Sequence, residues 1–244
     1  MRISNVRILS AGLAFALGAF TATSANAQYI NKFANDRGSY SNVGDHDSLN
    51  DGYLAGFDSF SGESFRNFFV FDIPTLTGSD TYTSAILNIN NGGSNSPNAF
   101  DMVGRTFTIS SVSTNVTALT NGGTGRTSVY NDLSAGTTYG SITFLTTPTD
   151  GSVLKFNFNA AGVAAINSAA GGQIAFGGSF DITSSVNDQY VFAYTATGSA
   201  GDANSKLFLV MNNFVAPEPS SLALMALAPI GFGLIVRRRS QKKN

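Results

Sequence analysis

The chain contains no cysteine and no tryptophan, and its single histidine is His46. The lack of cysteine excludes disulfide bonds, thiolate nucleophiles and cysteine-ligated zinc or iron–sulfur centres. One histidine is too few for a histidine-rich zinc site. A Ser-His-Asp triad would have to use it, but no Gly-x-Ser-x-Gly segment supplies the nucleophile, so we expect His46 to lie on the surface. Without tryptophan, any stacking of sugar rings would depend on tyrosine or phenylalanine.

Positive charge is also scarce once the two ends of the chain are set aside. Residues 28–216 carry seven basic and fourteen acidic side chains, which leaves a net charge of −7. Such a segment lacks the basic surface that binding to a nucleic-acid backbone requires, so we expect no nucleic-acid partner. Its 189 residues suffice for one domain with its own core.

The first 27 residues have the three parts of a secretory signal peptide. Two arginines precede an apolar run at residues 8–20, and Ala25 and Ala27 form an A-x-A cleavage site. The run has 13 residues, fewer than the roughly 20 that a membrane-spanning helix needs. We therefore predict a signal helix that is removed after Ala27, leaving a mature chain that starts at Gln28.

The other end of the chain combines a proline motif, an apolar run and a cationic cluster. Pro217 and Pro219 flank Glu218 and favour an extended, accessible segment. Residues 222–236 form a 15-residue apolar run, which is a marginal membrane span. The cations that follow are Arg237, Arg238, Arg239, Lys242 and Lys243. Because these charges stay in the cytoplasm, the domain would be held outside the membrane.

This combination resembles the PEP-CTERM sorting signal, in the segment Ala-Pro-Glu-Pro-Ser-Ser-Leu-Ala-Leu, the glycines at positions 231 and 233 and the arginine cluster. The resemblance covers about the last 28 residues. It implies recognition by an exosortase, a membrane-embedded cysteine protease or transpeptidase, with cleavage at 217–219. The alternative is a plain single-pass anchor.

Short apolar runs separated by Gly, Ser, Thr and Asn clusters are typical of an all-β protein. The pattern predicts about eight strands, at residues 65–72, 83–90, 106–112, 141–145, 153–159, 173–177, 189–195 and 206–211. The alanine-rich stretch 159–170 predicts one short helix that begins near Asn159 or Ala160. Without an internal period, this content favours a jelly-roll-like antiparallel β-sandwich with one short helix, flanked by the N-terminal signal helix and a C-terminal hydrophobic helix.

The run at 65–72 is apolar in both phases. The sequence therefore leaves open whether Phe68 and Val70, or Phe69 and Phe71, face the core. Blocks at 66–74 with 83–87, at 130–133 with 138–141, and at 157–161 with 171–178 resemble those of exported β-sandwich proteins that carry the same tail. That family consists of uncharacterised surface proteins, so the resemblance implies a sandwich and export but no catalytic residues.

The densest polar cluster includes Asp45, Asp47, Asn50 and Asp51. Four oxygen-bearing side chains within seven residues could contribute to a calcium site, which takes six to eight oxygen ligands. The spacing does not match an EF-hand, and the alternative is a solvated acidic loop. The glycine-rich segment 121–126 lacks the Lys-Ser/Thr ending of a phosphate-binding loop, and we expect no helix after it.

These observations define three parts: a signal peptide at 1–27, a β-sandwich domain at 28–216 and a sorting tail at 217–244. We expect an exported, non-catalytic protein of the cell surface or extracellular matrix, associated with exopolysaccharide or biofilm. Signal peptidase and exosortase would process it, and it would contact the membrane only through the tail. The alternative is a secreted polysaccharide hydrolase, in which Glu63, the one glutamate of residues 28–216, would pair with an aspartate.

Overall fold

The computed structural model describes residues 27–49, 52–91, 99–149, 151–183, 186–192 and 207–214. Strands dominate these ranges and each described pairing is antiparallel, which confirms an all-β fold. The described strands are β1 (Ala27–Phe33), β2 (Asp36–Ser41), β3 (Ala55–Asp58), β4 (Glu63–Asp72), β5 (Thr81–Asn90), β6 (Ala99–Phe100), β7 (Thr106–Ser111), β8 (Thr138–Thr143), β9 (Val153–Asn157), β10 (Gln173–Phe180), β11 (Gln189–Val191) and β12 (Phe208–Phe214). The described helices are α1 (Val116–Thr120), α2 (Thr127–Ala135) and α3 (Ala160–Ser168).

The sequence pattern predicted too few elements. Each predicted strand overlaps a described one, although 193–195 and 206 lie outside the described residues. Strands β1, β2, β3 and β6 and helices α1 and α2 were not predicted. Strand β2, with the sequence DRGSYS, shows why: it has no apolar alternation, and it is extended because it pairs with residues 65–70 of β4.

The strands form two sheets, and β4 is the central strand of the larger one. The smaller sheet has the order β1-β12-β5-β9. In the larger sheet, Phe68 of β4 pairs with Gly177 of β10 on one edge and with Gly38 of β2 on the other. Beyond β10 lie β7 and β8. At its N-terminal end β4 also pairs with β3, which continues to β11 and β6.

The two sheets enclose one apolar core, so the fold is β-sandwich-like. The rings of Phe107 on β7 and Phe156 on β9 meet edge to face across the sheets, with centroids 5.3 Å apart. Such aromatic pairs stabilise a core beyond the area that they bury. Other core side chains are Phe69, Phe71 and Phe176 from the larger sheet and Leu87, Leu209 and Met211 from the smaller.

Strand β4 is buried on both faces. Phe69 and Phe71 belong to the main core, whereas Phe68 and Val70 belong to a second cluster with Leu133 of α2. Helices α1 and α2 cover this second face of the larger sheet. The strand is therefore apolar at successive positions because the side chains on each of its two faces are buried in a separate cluster.

Helix α2 packs closely on β10 because β10 has glycine at the contact. A Cβ atom at Gly177 would lie 2.3 Å from the Leu133 carbonyl oxygen. The expectation that no helix follows segment 121–126 is wrong, since α2 begins directly at Thr127. Its apolar residues were not recognised as helical, because only Val129 and Leu133 of the nine residues are buried.

The predicted helix forms as α3. The Asn159 side chain accepts a hydrogen bond from the Gly162 N–H (3.0 Å), which is a typical N-cap. Near the other end, Asn167 Oδ1 accepts from the Tyr82 N–H (2.8 Å) and Asn167 Nδ2 donates to the Tyr82 carbonyl (2.9 Å). The side chain of Asn167 thereby completes the hydrogen bonding of β5 where that strand begins.

The first and last described residues are strand partners. Ala27 of β1 pairs with Phe214 of β12, so both ends of the described domain meet at one end of the smaller sheet. Of the signal peptide predicted at 1–27, only Ala27 is described, and the tail at 217–244 lies outside the described residues. Within the described ranges, no helix has the length and apolar character needed to cross a bilayer.

Candidate functional site

The acidic segment that suggested calcium is tied to the neighbouring glycine-rich loop. Asp45 Oδ1 accepts a hydrogen bond from the Gly125 N–H, and Asp47 Oδ1 accepts one from the Leu49 N–H, both at 2.9 Å. Asn50 and Asp51 lie outside the described residues. The structure thus brings together two of the four candidate ligands, and the calcium site stays a prediction. Among described side chains, no group of three or more His, Asp and Glu could hold a metal ion.

His46 is buried rather than on the surface, so that expectation is wrong. Its side chain is 8% exposed. The ring lies 4.8 Å from the Tyr40 ring and 5.2 Å from the Phe68 ring, the latter edge to face. The reason is the backbone bridge between His46 and Gly123, which holds this loop against the second cluster.

The His46 imidazole is held in one tautomer. Nδ1 lies 3.0 Å from the Ser39 carbonyl oxygen, which only accepts, so Nδ1 carries the hydrogen. Burial lowers the pKa of His46, and Arg126 adds to this effect. The Ser39 carbonyl and the charges of Asp36 and Asp47 oppose it. The neutral imidazole is therefore the form that fits this packing.

An open cleft of about 430 Å³ lies beside His46. Asp45, Asp47 and Glu63 line it together with Phe65. We refer to it as the His46 cleft. Its acidic groups are already partly engaged in holding the loop, as the Asp45 and Asp47 bonds show.

A second open cleft, of about 540 Å³, is lined by Ser59, Phe100, Asp101, Asn187 and Asp188. We refer to it as the Phe100 cleft. Strand pairing positions its aromatic side: Phe100 of β6 is the register partner of Tyr190 of β11, and their ring centroids are 6.5 Å apart. Phe100 is 47% exposed, so about half of this aromatic side chain is open to solvent beside carboxylate and amide groups.

Two carboxylates of the Phe100 cleft are held by hydrogen bonds. Asp188 Oδ1 accepts from the Ser59 N–H at 2.7 Å, and hydrogen bonds from Ser59 lower the pKa of Asp188. Asp101 Oδ2 accepts from Gln189 Nε2 at 2.5 Å. Asp188 is consequently ionised at neutral pH and acts there as a hydrogen-bond acceptor.

The backbone at Asp101 is strained. Its φ of +46° lies in the left-handed region, which few residues other than glycine adopt. Gln189, which is 2% exposed, holds the Asp101 carboxylate and also binds Thr183 through its side chain. Backbone strain that the surrounding structure maintains is often found where a protein binds a ligand.

Sequence reasoning missed the Phe100 cleft. Its residues come from three segments, near 59, 100 and 188, and become neighbours only through the pairing of β3, β11 and β6. The sequence does place aromatic residues close to aspartate in these segments, as at Phe100 with Asp101 and at Asp188 with Tyr190. It does not show that the three segments meet in the fold.

Of the processing residues, only Ala27 is described, as the first residue of β1. Ala25, Pro217, Glu218, Pro219 and the three arginines at 237–239 lie outside the described residues. Comparison of the chain with models of known protein families and with curated proteins finds no match.

Proposed function

We propose that this protein is an exported, non-catalytic β-sandwich protein that associates with extracellular polysaccharide. The observation that carries the proposal is the Phe100 cleft, where an exposed aromatic ring lies beside prepositioned carboxylates. Sugar rings offer apolar faces for stacking and hydroxyl groups for donation to such acceptors. A concave site with a few fixed polar groups is the usual form of a small-ligand site.

The chemistry of the cleft favours binding over hydrolysis. A glycosidase needs a carboxyl group that keeps its proton and donates it to the leaving oxygen. The pKa of Asp188 is lowered, and its donors from Ser59 stabilise the ionised form. Asp188 can accept hydrogen bonds from a sugar but is a poor proton donor, so it is unsuited to be the acid of a glycosidase in this cleft.

Export and sorting complete the proposal, with support from the sequence of the two ends. Signal peptidase would cut after Ala27, which leaves β1 to begin at Gln28, still paired with Asn213 of β12. An exosortase would cut at 217–219, after β12 has ended at Phe214. The first cut would remove the Ala27–Phe214 pair and keep the other six register pairs of β1 with β12, and the second would leave β12 whole. We assign the sandwich to the jelly-roll type.

The glycan part of the proposal is tested by measuring retention of the full chain on polysaccharide from the matrix of the producing cells. We expect Phe100→Ala to reduce retention. Tyr29→Ala is the matched control, because Tyr29 is a 72% exposed aromatic residue on β1, in the other sheet. Equal retention of the wild type and Phe100→Ala would refute the cleft as the binding site.

The sorting part is tested by following chain mass and cell fraction. Replacing Pro217, Glu218 and Pro219 with alanine leaves the apolar run and the cations intact. If an exosortase processes the chain, this variant should stay in the membrane at full mass, whereas deletion of 217–244 should release the domain. A variant that is processed like the wild type would show that the motif is not read and favour a plain anchor.

A further inference from the structure

The charged groups at the Phe100 cleft are predominantly acidic. Asp101 and Asp188 line the cleft, and the charges of Asp188 and Asp58 contribute to the raised pKa of Tyr190, after burial. Arg105 lies 3.7 Å from Asp101 and offsets that charge. The described bonds of Asp188 and Asp58 come from neutral donors, the N–H groups of residues 59, 60 and 61. The cleft therefore keeps a negative charge.

The aromatic side of the cleft has the same preference. The face of a phenylalanine or tyrosine ring carries the negative end of its quadrupole and attracts a cation. Phe100 and Asp188 both line the cleft, so an ammonium group bound there has an aromatic ring and a charge-assisted acceptor among the groups around it. A carboxylate of a uronic acid would instead be repelled by Asp188.

We infer that the Phe100 cleft selects saccharides with protonated amino groups over saccharides with carboxylates. The inference rests on the proposed function, because it names the class of sugar that the cleft takes. The fixed positions of Asp101 and Asp188 mean that little ordering is needed when an amine binds, which favours affinity.

The test is a set of calorimetric titrations of the full chain with three oligosaccharides of equal length: deacetylated glucosamine, N-acetylglucosamine and galacturonate oligomers. The measurements are made at mildly acidic pH, where the amines are protonated. We expect the glucosamine oligomer to bind with the highest affinity, the N-acetylglucosamine oligomer to bind more weakly, and the galacturonate oligomer not to bind. Added salt should weaken only the first, since exposed charges are screened.

Two variants locate the effect. Asp188→Asn keeps an oxygen that can accept from Ser59 but removes the charge, and should weaken glucosamine binding about tenfold without changing N-acetylglucosamine binding. Phe100→Ala should weaken glucosamine binding about two- to fivefold through loss of the ring. Asp80→Asn is the matched control, because Asp80 lies just before β5 and is not among the described residues that line the cleft.

The outcomes separate this inference from the proposed function. Equal affinity for both glucosamine forms, or unchanged binding in Asp188→Asn, would overturn the amine selectivity and leave polysaccharide binding standing. Tighter binding of galacturonate would also overturn the selectivity. If the full chain binds none of the three oligomers and is also not retained on matrix polysaccharide, the proposed function itself is refuted.

Discussion

Truncation of Phe68 or Phe69 tests whether the two faces of β4 are buried in separate clusters. Both side chains have 0% exposure. Phe68 contacts the rings of Tyr40 and His46, whereas Phe69 contacts the ring of Tyr53. Replacing a buried phenylalanine with alanine costs about 3–5 kcal/mol through lost burial and the remaining cavity. We expect a cost in this range for each variant, because neither face is open to water.

The assay is urea unfolding of the full chain, compared with wild type at one temperature. Phe60→Ala is the matched control, because Phe60 is 98% exposed and its truncation should change the free energy of unfolding by less than about 0.5 kcal/mol. A small domain has only about 5–15 kcal/mol in total, so an alanine variant could unfold completely. Phe68→Leu and Phe69→Leu, which keep most of the apolar volume, then provide measurable values.

The two residues also provide a test of independence. Their side chains lie in different clusters, so the costs of Phe68→Leu and Phe69→Leu should add in the double variant; a departure from additivity would measure coupling through the shared backbone of β4. A cost near zero at either position would refute burial of that face. A large loss at Phe69 with none at Phe68 would mean that α1 and α2 do not cover the second cluster.

Three further predictions follow from single features. Gly177→Ala should destabilise the protein by about 1–3 kcal/mol, because its Cβ would meet the Leu133 carbonyl. In the same unfolding assay, Gly172→Ala should leave the free energy of unfolding nearly unchanged, since a Cβ atom there would lie 3.5 Å from the Ala169 carbonyl oxygen, an ordinary contact. Folding lowers the pKa of His46, so the unfolded chain binds a proton more readily than the folded protein does. The free energy of unfolding should therefore decrease as the pH falls through about 6.5, by at most about 1.4 kcal/mol per pH unit. His46→Gln should remove this dependence when unfolding is measured as a function of pH. The calcium hypothesis for residues 45–51 expects a melting midpoint about 3–5 °C higher in millimolar calcium than in EDTA, with less effect from magnesium; equal midpoints would leave a plain acidic loop.

Local sequence patterns predicted the elements whose burial is visible in their own residues. Strand β9 alternates apolar and polar residues, and α3 has both a capping asparagine and a terminating glycine pair. Strand β4 was recognised from its aromatic run, but its two faces could not be assigned. The missing information was the presence of α2, which supplies a second apolar surface.

The candidate site was less predictable because it depends on contacts distant in sequence. Phe100 and Tyr190 are ninety positions apart and meet through strand pairing. The environment of His46 likewise depends on Gly123 and Phe68, which lie on other segments. A histidine next to aspartates in a polar stretch is typical of a surface loop, so its burial could not be read from neighbouring residues.

The position of β12 has a mechanical consequence. This strand is paired along both edges, with β1 on one side and β5 on the other. A force applied just after Phe214 and directed along the strand axis would load both ladders in shear, so that many hydrogen bonds must break together. A pull on Ala27 would instead peel β1 from the sheet edge one pair at a time. Withdrawal of β12 along its axis therefore breaks two ladders, whereas removal of the edge strand β1 breaks only one.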